Sequence, residues 1–203
     1  MTAVVAARRT QAQRSATTRA VVLRATIDSL VELGYAGTTT GEVQQRAGVS
    51  RGALTHHFPS KAELLLAALD VLYDDFSLDL RTAAAGLPPG RARVRPAIAL
   101  IWARFDGPLF TAAMELWVAS RTDPELRAAV VPHERRLGVE LRELCAEVLG
   151  PEVSQHPRAD AAYQLLLTSM RGQAMAYVLQ PGAPRSDSHL EAWYALVEVF
   201  ARA

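Results

Sequence analysis

The chain has 203 residues, half of them hydrophobic, and a formal net charge of +1, which is enough apolar material to bury a core and excludes a disordered polypeptide. Its lone cysteine, Cys145, excludes an internal disulfide framework and a cysteine-held zinc cluster. No run approaches the roughly 18–20 uninterrupted apolar residues of a membrane-spanning helix, and the Arg-rich start lacks the apolar stretch of a secretory signal, so a cytoplasmic location is expected. The small net charge hides an asymmetry: through residue 64 there are 8 bases against 4 acids, and beyond it 14 against 17, the layout of a chain of which one end meets a polyanion.

The first fifteen or so residues, carrying Arg8, Arg9 and Arg14, read as a polar basic arm expected to be mobile. From Thr17 to Leu33 the apolar residues Ala20, Leu23, Ile27, Leu30 and Val31 recur at three- and four-residue steps, and Gly34 supplies the stop of a first helix. Thr39-Thr40-Gly41-Glu42 is a capping box that opens a second helix ending near Ala47. Gly48-Val49-Ser50 gives a tight turn and a new cap, so a third short helix spans about Arg51 to Phe58 and Pro59 ends it. Ser60-Lys61-Ala62-Glu63 is a second capping box, opening an amphipathic helix through Leu64, Leu65, Ala68, Leu72 and Phe76 to about Ala85.

Gly86-Leu87-Pro88-Pro89-Gly90 is the clearest linker. Five further helices are expected at about 92–105, 108–120, 124–149, 158–180 and 188–202, with breaks at Gly107-Pro108, Asp123-Pro124, Gly150-Pro151 and Pro181-Gly182-Ala183-Pro184. No segment alternates with period two, so the fold class is all-α, with about nine helices.

Two short helices joined by a glycine turn and flanked by longer ones are the geometry that lays one helix in a DNA major groove while another braces it. In the third helix Leu54 and Phe58 share a face that packs on Val43, Ala47 and Val49. Gly52, Thr55 and His56 then point away. Arg51 can fork onto guanine, Gly52 lets a duplex approach the backbone, and Thr55 or His56 can donate to phosphate or touch a thymine methyl. Thr40 and Lys61 stand at helix starts, where phosphate is favoured. Each residue taken singly also reads as a cap or a solvated side chain; the ordered set reads as a DNA surface.

The run from Gly34 to Leu69 resembles the N-terminal domain of the TetR family of tetracycline-repressor-like regulators. The resemblance rests on Gly34-Tyr35, the Thr-rich cap, Ala47-Gly48-Val49-Ser50, His57-Phe58 and Ser60-Lys61. It implies phosphate contacts near Thr40, Thr55, His56, His57 and Lys61, and base or backbone contacts near Ser50, Arg51 and Gly52. Thr55 stands where many relatives carry tyrosine, which removes a long aromatic reach to phosphate. The resemblance also implies a homodimer on a palindromic operator, released as a repressor by a small molecule. Residues 16–62 are then the DNA-binding domain and residues 63–203 the ligand-binding and dimerisation domain.

In that second part Trp102, Phe105, Phe110, Met114 and Trp117, with Met170 and Tyr177 opposite, are the expected wall of a pocket for an apolar or aromatic effector. Arg104, Glu115, Arg171 and Gln173 are candidates to orient it. The small and apolar residues Ala161, Ala162, Leu165, Leu166, Ser169, Leu190, Trp193, Leu196, Val197 and Phe200, on the helices at 158–180 and 188–202, are the expected dimer faces. No catalytic residue, metal or cofactor is expected: the rival reading, an all-α enzyme, finds no HExxH, Glu-x-x-His pair or nucleophile elbow. His133 is expected at the surface. A membrane-binding arm is disfavoured because residues 1–15 lack a bulky apolar face.

Overall fold

The structure, a computed structural model, describes the backbone of residues 2–179 and 188–202, and side chains over 11–179 and 189–199. The described residues form ten α-helices and no strand: α1 (Thr2–Gly37), α2 (Thr40–Ala47), α3 (Arg51–His57), α4 (Lys61–Ala84), α5 (Val94–Ala103), α6 (Pro108–Ser120), α7 (Pro124–Leu149), α8 (Pro151–Ser154), α9 (Ala159–Val178) and α10 (Ser188–Arg202). The all-α expectation holds. The count exceeds the expected nine by the single turn α8, and 3₁₀ turns precede α5 and α6. The break expected at Pro181-Gly182-Ala183-Pro184 and the side chain of Phe200 lie outside the described residues.

The first helix is longer than its apolar period suggests. It starts at Thr2, not near Thr17, because residues 2–33 contain no Gly or Pro and are rich in Ala, Arg and Gln, which favour helix without tertiary support. Its expected end holds: Gly34, at φ 67 and ψ −176, breaks the helical path and Tyr35 to Gly37 form a separate turn.

Two compact units divide the chain. The first joins Met1–Tyr73 to Thr111–His133. Its core is built from Val22, Leu23, Ile27 and Leu30 of α1, Val43 of α2, Leu54 and Phe58 at α3, and Leu64, Leu65, Ala68 and Leu69 of α4, all buried. Residues 111–133 belong with them through polar contacts that no local pattern announces. The Tyr35 N–H donates to Glu115 Oε2 at 2.8 Å, and the Tyr35 hydroxyl donates to Asp123 Oδ2 at 2.9 Å. His133 is a correction: it is buried, with Nε2 2.9 Å from Asp70 Oδ1. Pro132 does not end α7, so His133 falls on the inward stripe Leu126, Val130, His133, Leu137, spaced four, three and four.

The second unit joins Asp74–Phe110 to Glu134–Ala203. Trp102 sits among rings here, with centroids at 4.7 Å to Trp193, 6.0 Å to Phe105 and 6.2 Å to Tyr177, while Phe105 lies 5.6 Å from Phe110. Trp193 donates its indole N–H to Ser169 Oγ at 2.8 Å, which satisfies the polar end of a buried ring. Arg93 ties α4 to α7 by donating to Ala84 O and Val148 O at 3.0 and 2.7 Å. Cys145 is fully buried and burial pushes its thiol up to about 12, so it packs as a small apolar side chain.

Candidate nucleic-acid interface

The reading head is set by local chemistry. The Glu42 N–H donates to Thr39 Oγ1 at 3.1 Å at the start of α2. The Ala53 N–H donates to Ser50 Oγ at 3.2 Å at the start of α3. The Glu63 N–H donates to Ser60 Oγ at 3.1 Å, the hydroxyl half of the second capping box, and Ser60 Oγ donates to Glu63 Oε1 at 3.3 Å, so the two side chains meet directly. Between α2 and α3 the chain turns at Gly48, whose φ of 65 is the left-handed conformation in which a side chain would clash with its own backbone. Both expected short helices therefore begin and end where their caps place them.

Leu54 and Phe58 are buried, which rotates Arg51, Gly52, Thr55 and His56 outward, all of them exposed. The Arg51 side chain makes no ion pair or hydrogen bond with any described residue. A Cβ built on Gly52 would meet nothing within 4 Å, so glycine here is not required by the fold. The Thr55 hydroxyl donates to Arg51 O within its own helix at 3.0 Å, leaving its lone pairs outward. Thr40 is exposed, Ser50 is the α3 cap and His57 is half-buried beside Phe58, ring centroids 6.2 Å apart. Seven of the eight sequence-derived residues thus share the caps and outer side of α2 and α3.

Lys61, the eighth and the only lysine of the chain, does something further. Its Nζ donates to Tyr35 O at 2.9 Å and stands 3.8 Å from the centroid of the Tyr35 ring. Burial lowers its pKa from the ordinary lysine value, and the Asp123 charge opposes that shift. Burial and the hydrogen bond to Asp123 raise the pKa of Tyr35, and Asp123 is held below its ordinary value by the Leu126 backbone N–H and then by Tyr35. Lys61, Tyr35, Glu115 and Asp123 form one polar node that joins α1 and α4 to α6 and α7. Gly34 belongs to it: a Cβ there would lie 2.7 Å from Glu115 Oε2. Sequence reasoning missed the node because its members are up to 88 residues apart; Gly34-Tyr35 was the only local signal.

Of the expected effector wall, Trp102, Phe105, Phe110 and Tyr177 are gathered in the second unit, where Met170 is fully buried. Met114 and Trp117 belong to the first unit. The expected dimer faces are redistributed. Ala162, Leu166, Trp193 and Val197 are buried within the second unit, whereas Ala161, Leu165, Thr168, Gly172 and Met175 form an exposed stripe along α9 at steps of four, three, four and three. Helix α9 has two apolar sides, and composition alone does not separate them. Among the described residues no helix is long and apolar enough to cross a membrane, and no group of three His, Cys, Asp or Glu could hold a metal ion.

The family model for bacterial regulatory proteins of the tetR family matches residues 22–68. Over 180 residues the chain is 33% identical to the HTH-type transcriptional regulator CymR of Pseudomonas putida, with 89% of each chain covered. Two solved structures share the fold. A transcriptional regulator of Pseudomonas aeruginosa PAO1 superposes with a TM-score of 0.69 at 22% identity, covering 91% of this chain and 90% of that one. The multidrug binding protein EbrR, complexed with ethidium, gives 0.62 at 19% identity, covering 90% and 97%.

Proposed function

The chain belongs to the TetR family of bacterial transcriptional regulators, and from that premise we propose that it is a homodimeric repressor that α3 seats on a palindromic operator and a small apolar or aromatic effector releases. The observation that carries the reading is the outer side of α3. Arg51 is exposed and pairs with no described residue, Gly52 opens the backbone beside it, and Thr55 and His56 complete an exposed polar surface. In the major groove Arg51 reads guanine O6 and N7, while Thr40, Ser50, Thr55, His56 and His57 set register on phosphates. Lys61 supports the head through Tyr35 and adds positive charge where α4 begins.

The dimer reading is supported by the α9 stripe, whose Leu165 and Met175 are 49% and 43% exposed, and by Val199 of α10 at 66%. The spacing is that of a helix seam packed against another helix, and a two-fold dimer presents two heads to two half-sites. The effector reading is supported by the rings around Trp102. EbrR is a multidrug binding protein complexed with ethidium, and a cluster of aromatic faces suits a flat apolar molecule here too. Release follows if the effector binds a form with misplaced heads better than the operator-bound form, a coupling of about 1–3 kcal/mol being enough for 5–150-fold in affinity.

Selection of bound duplexes from a random library, at fixed salt, tests the reading. Enrichment of an inverted repeat, with Arg51→Ala losing about 1–3 kcal/mol and its preference at one base pair per half-site, is the expected result. Enrichment of no sequence by a folded dimer, or an Arg51→Ala variant with unchanged preference, overturns it.

A further inference from the structure

The arginines of α1 and α2 differ in their partners. Arg46 is tied to Glu32 at 2.8 Å and to Glu42 at 3.3 Å. Arg14, Arg19 and Arg24 make no ion pair with any described residue, and residues 1–27 contain Arg8, Arg9, Arg14, Arg19 and Arg24 without a single Asp or Glu. This charge is spread along the N-terminal half of a 36-residue helix that has no acidic residue in its first turn.

Arg19 fixes where this part of α1 lies. Its guanidinium carbon stands 5.3 Å from the ring centroid of Phe58, the residue that ends α3. The turns before Arg19 therefore run on from the C-terminal end of α3. The inward side of α1 changes character at the same point. Val22 and Thr26 are completely buried, but stepping back from Val22 by three and four the same side carries Arg19, Ser15 and Gln11, all exposed. A helix side made polar and basic beyond the core it serves is suited to a partner, and it starts beside the residue that ends α3.

We propose that the N-terminal turns of α1, with Arg14 and Arg19 at their centre, are a second DNA-contact element that grips backbone phosphates beside the half-site read by α3. The inference rests on the DNA-binding reading above. The grip is on phosphates because the charge is concentrated, unneutralised and placed at the edge of the groove-bound helix, where a strand backbone runs. It strengthens binding to any duplex and leaves sequence preference to α3.

The test measures affinity of the full chain for its selected operator and for a scrambled duplex between about 50 and 200 mM salt. Arg14→Gln with Arg19→Gln is expected to lower the slope of log affinity against log salt by about 1.8 per protomer, at about 0.9 per lost phosphate contact, equally on both duplexes. An unchanged slope overturns the proposal. So does a loss confined to the operator, or an equal loss in the charge-matched variant Arg121→Gln with Arg127→Gln. Unchanged DNA binding with lost binding to phosphatidylglycerol-containing vesicles would also overturn it, assigning the arm to membranes. If Arg19→Gln lowers the melting temperature through its contact with Phe58, Arg14→Gln alone carries the test, with an expected slope change of about 0.9. A wild-type chain that selects no operator sinks the DNA-binding reading itself; a selected operator with unaltered slopes sinks only this inference.

Discussion

The reading head and the ring cluster of the second unit are specified in opposite ways. In the head, each helix is opened by a hydroxyl three residues before the N–H it caps, and the turn between helices is set by one left-handed glycine. All of these interactions span five residues or fewer. In the second unit, Trp102 meets Tyr177 and Trp193 across 75 and 91 positions, and Trp193 finds Ser169 across 24. The head spends its sequence on local signals and leaves its outer side polar and exposed, whereas the second unit turns its large side chains onto one another. An open polar surface suits a nucleic acid; rings packed on one another stabilise their unit and offer the apolar faces between which an effector inserts.

That contrast can be broken by substitution. The largest effect is expected at Trp193, which is 5% exposed: Trp193→Ala leaves a cavity among the rings, costing about 3–5 kcal/mol in urea unfolding. A loss below about 1 kcal/mol would mean that the ring cluster is not a core. Gly34→Ala comes next. It forces a side chain into a backbone conformation reserved for glycine and against Glu115, so a loss of about 1–3 kcal/mol is expected. Because the strain falls on the node that also holds Tyr35, operator binding should weaken along with stability. A variant of wild-type stability would show that the node yields freely.

Gly52→Ala carries the smallest effect on stability, with the opposite sign, and sharpens the comparison most. The new methyl meets nothing, and alanine favours helix by up to about 1 kcal/mol, so the melting temperature should hold or rise while operator affinity falls. A stable variant with unchanged affinity would show that the duplex does not approach α3 at this position.

The candidate site was legible in the sequence where its signals are local. Thr39, Ser50 and Ser60 announce helix starts at fixed distances from the N–H groups they cap, and Leu54 with Phe58 settles which side of α3 faces outward. Lys61 was legible as a cation at a helix start, but not as a strut on Tyr35, since nothing within a few residues of it specifies that partner. His133 was misjudged for a related reason: Pro132 and the neighbouring arginines suggested the surface, while the four-three-four spacing through Leu126, Val130 and Leu137 carried the better signal.

By itself the sequence determined the all-α class, the caps and turn of the helix-turn-helix, the outward residues of α3 and the stop at Gly34, because each follows from chemistry between residues at most a few positions apart. Only the tertiary structure decided that residues 111–133 group with the head through Glu115 and Asp123, that Trp193 and Leu166 are core while Leu165 and Met175 are exposed, and that α1 crosses the end of α3 at Arg19. Those outcomes depend on which surfaces meet at long range. An apolar residue is equally content against any of several partners until packing chooses one.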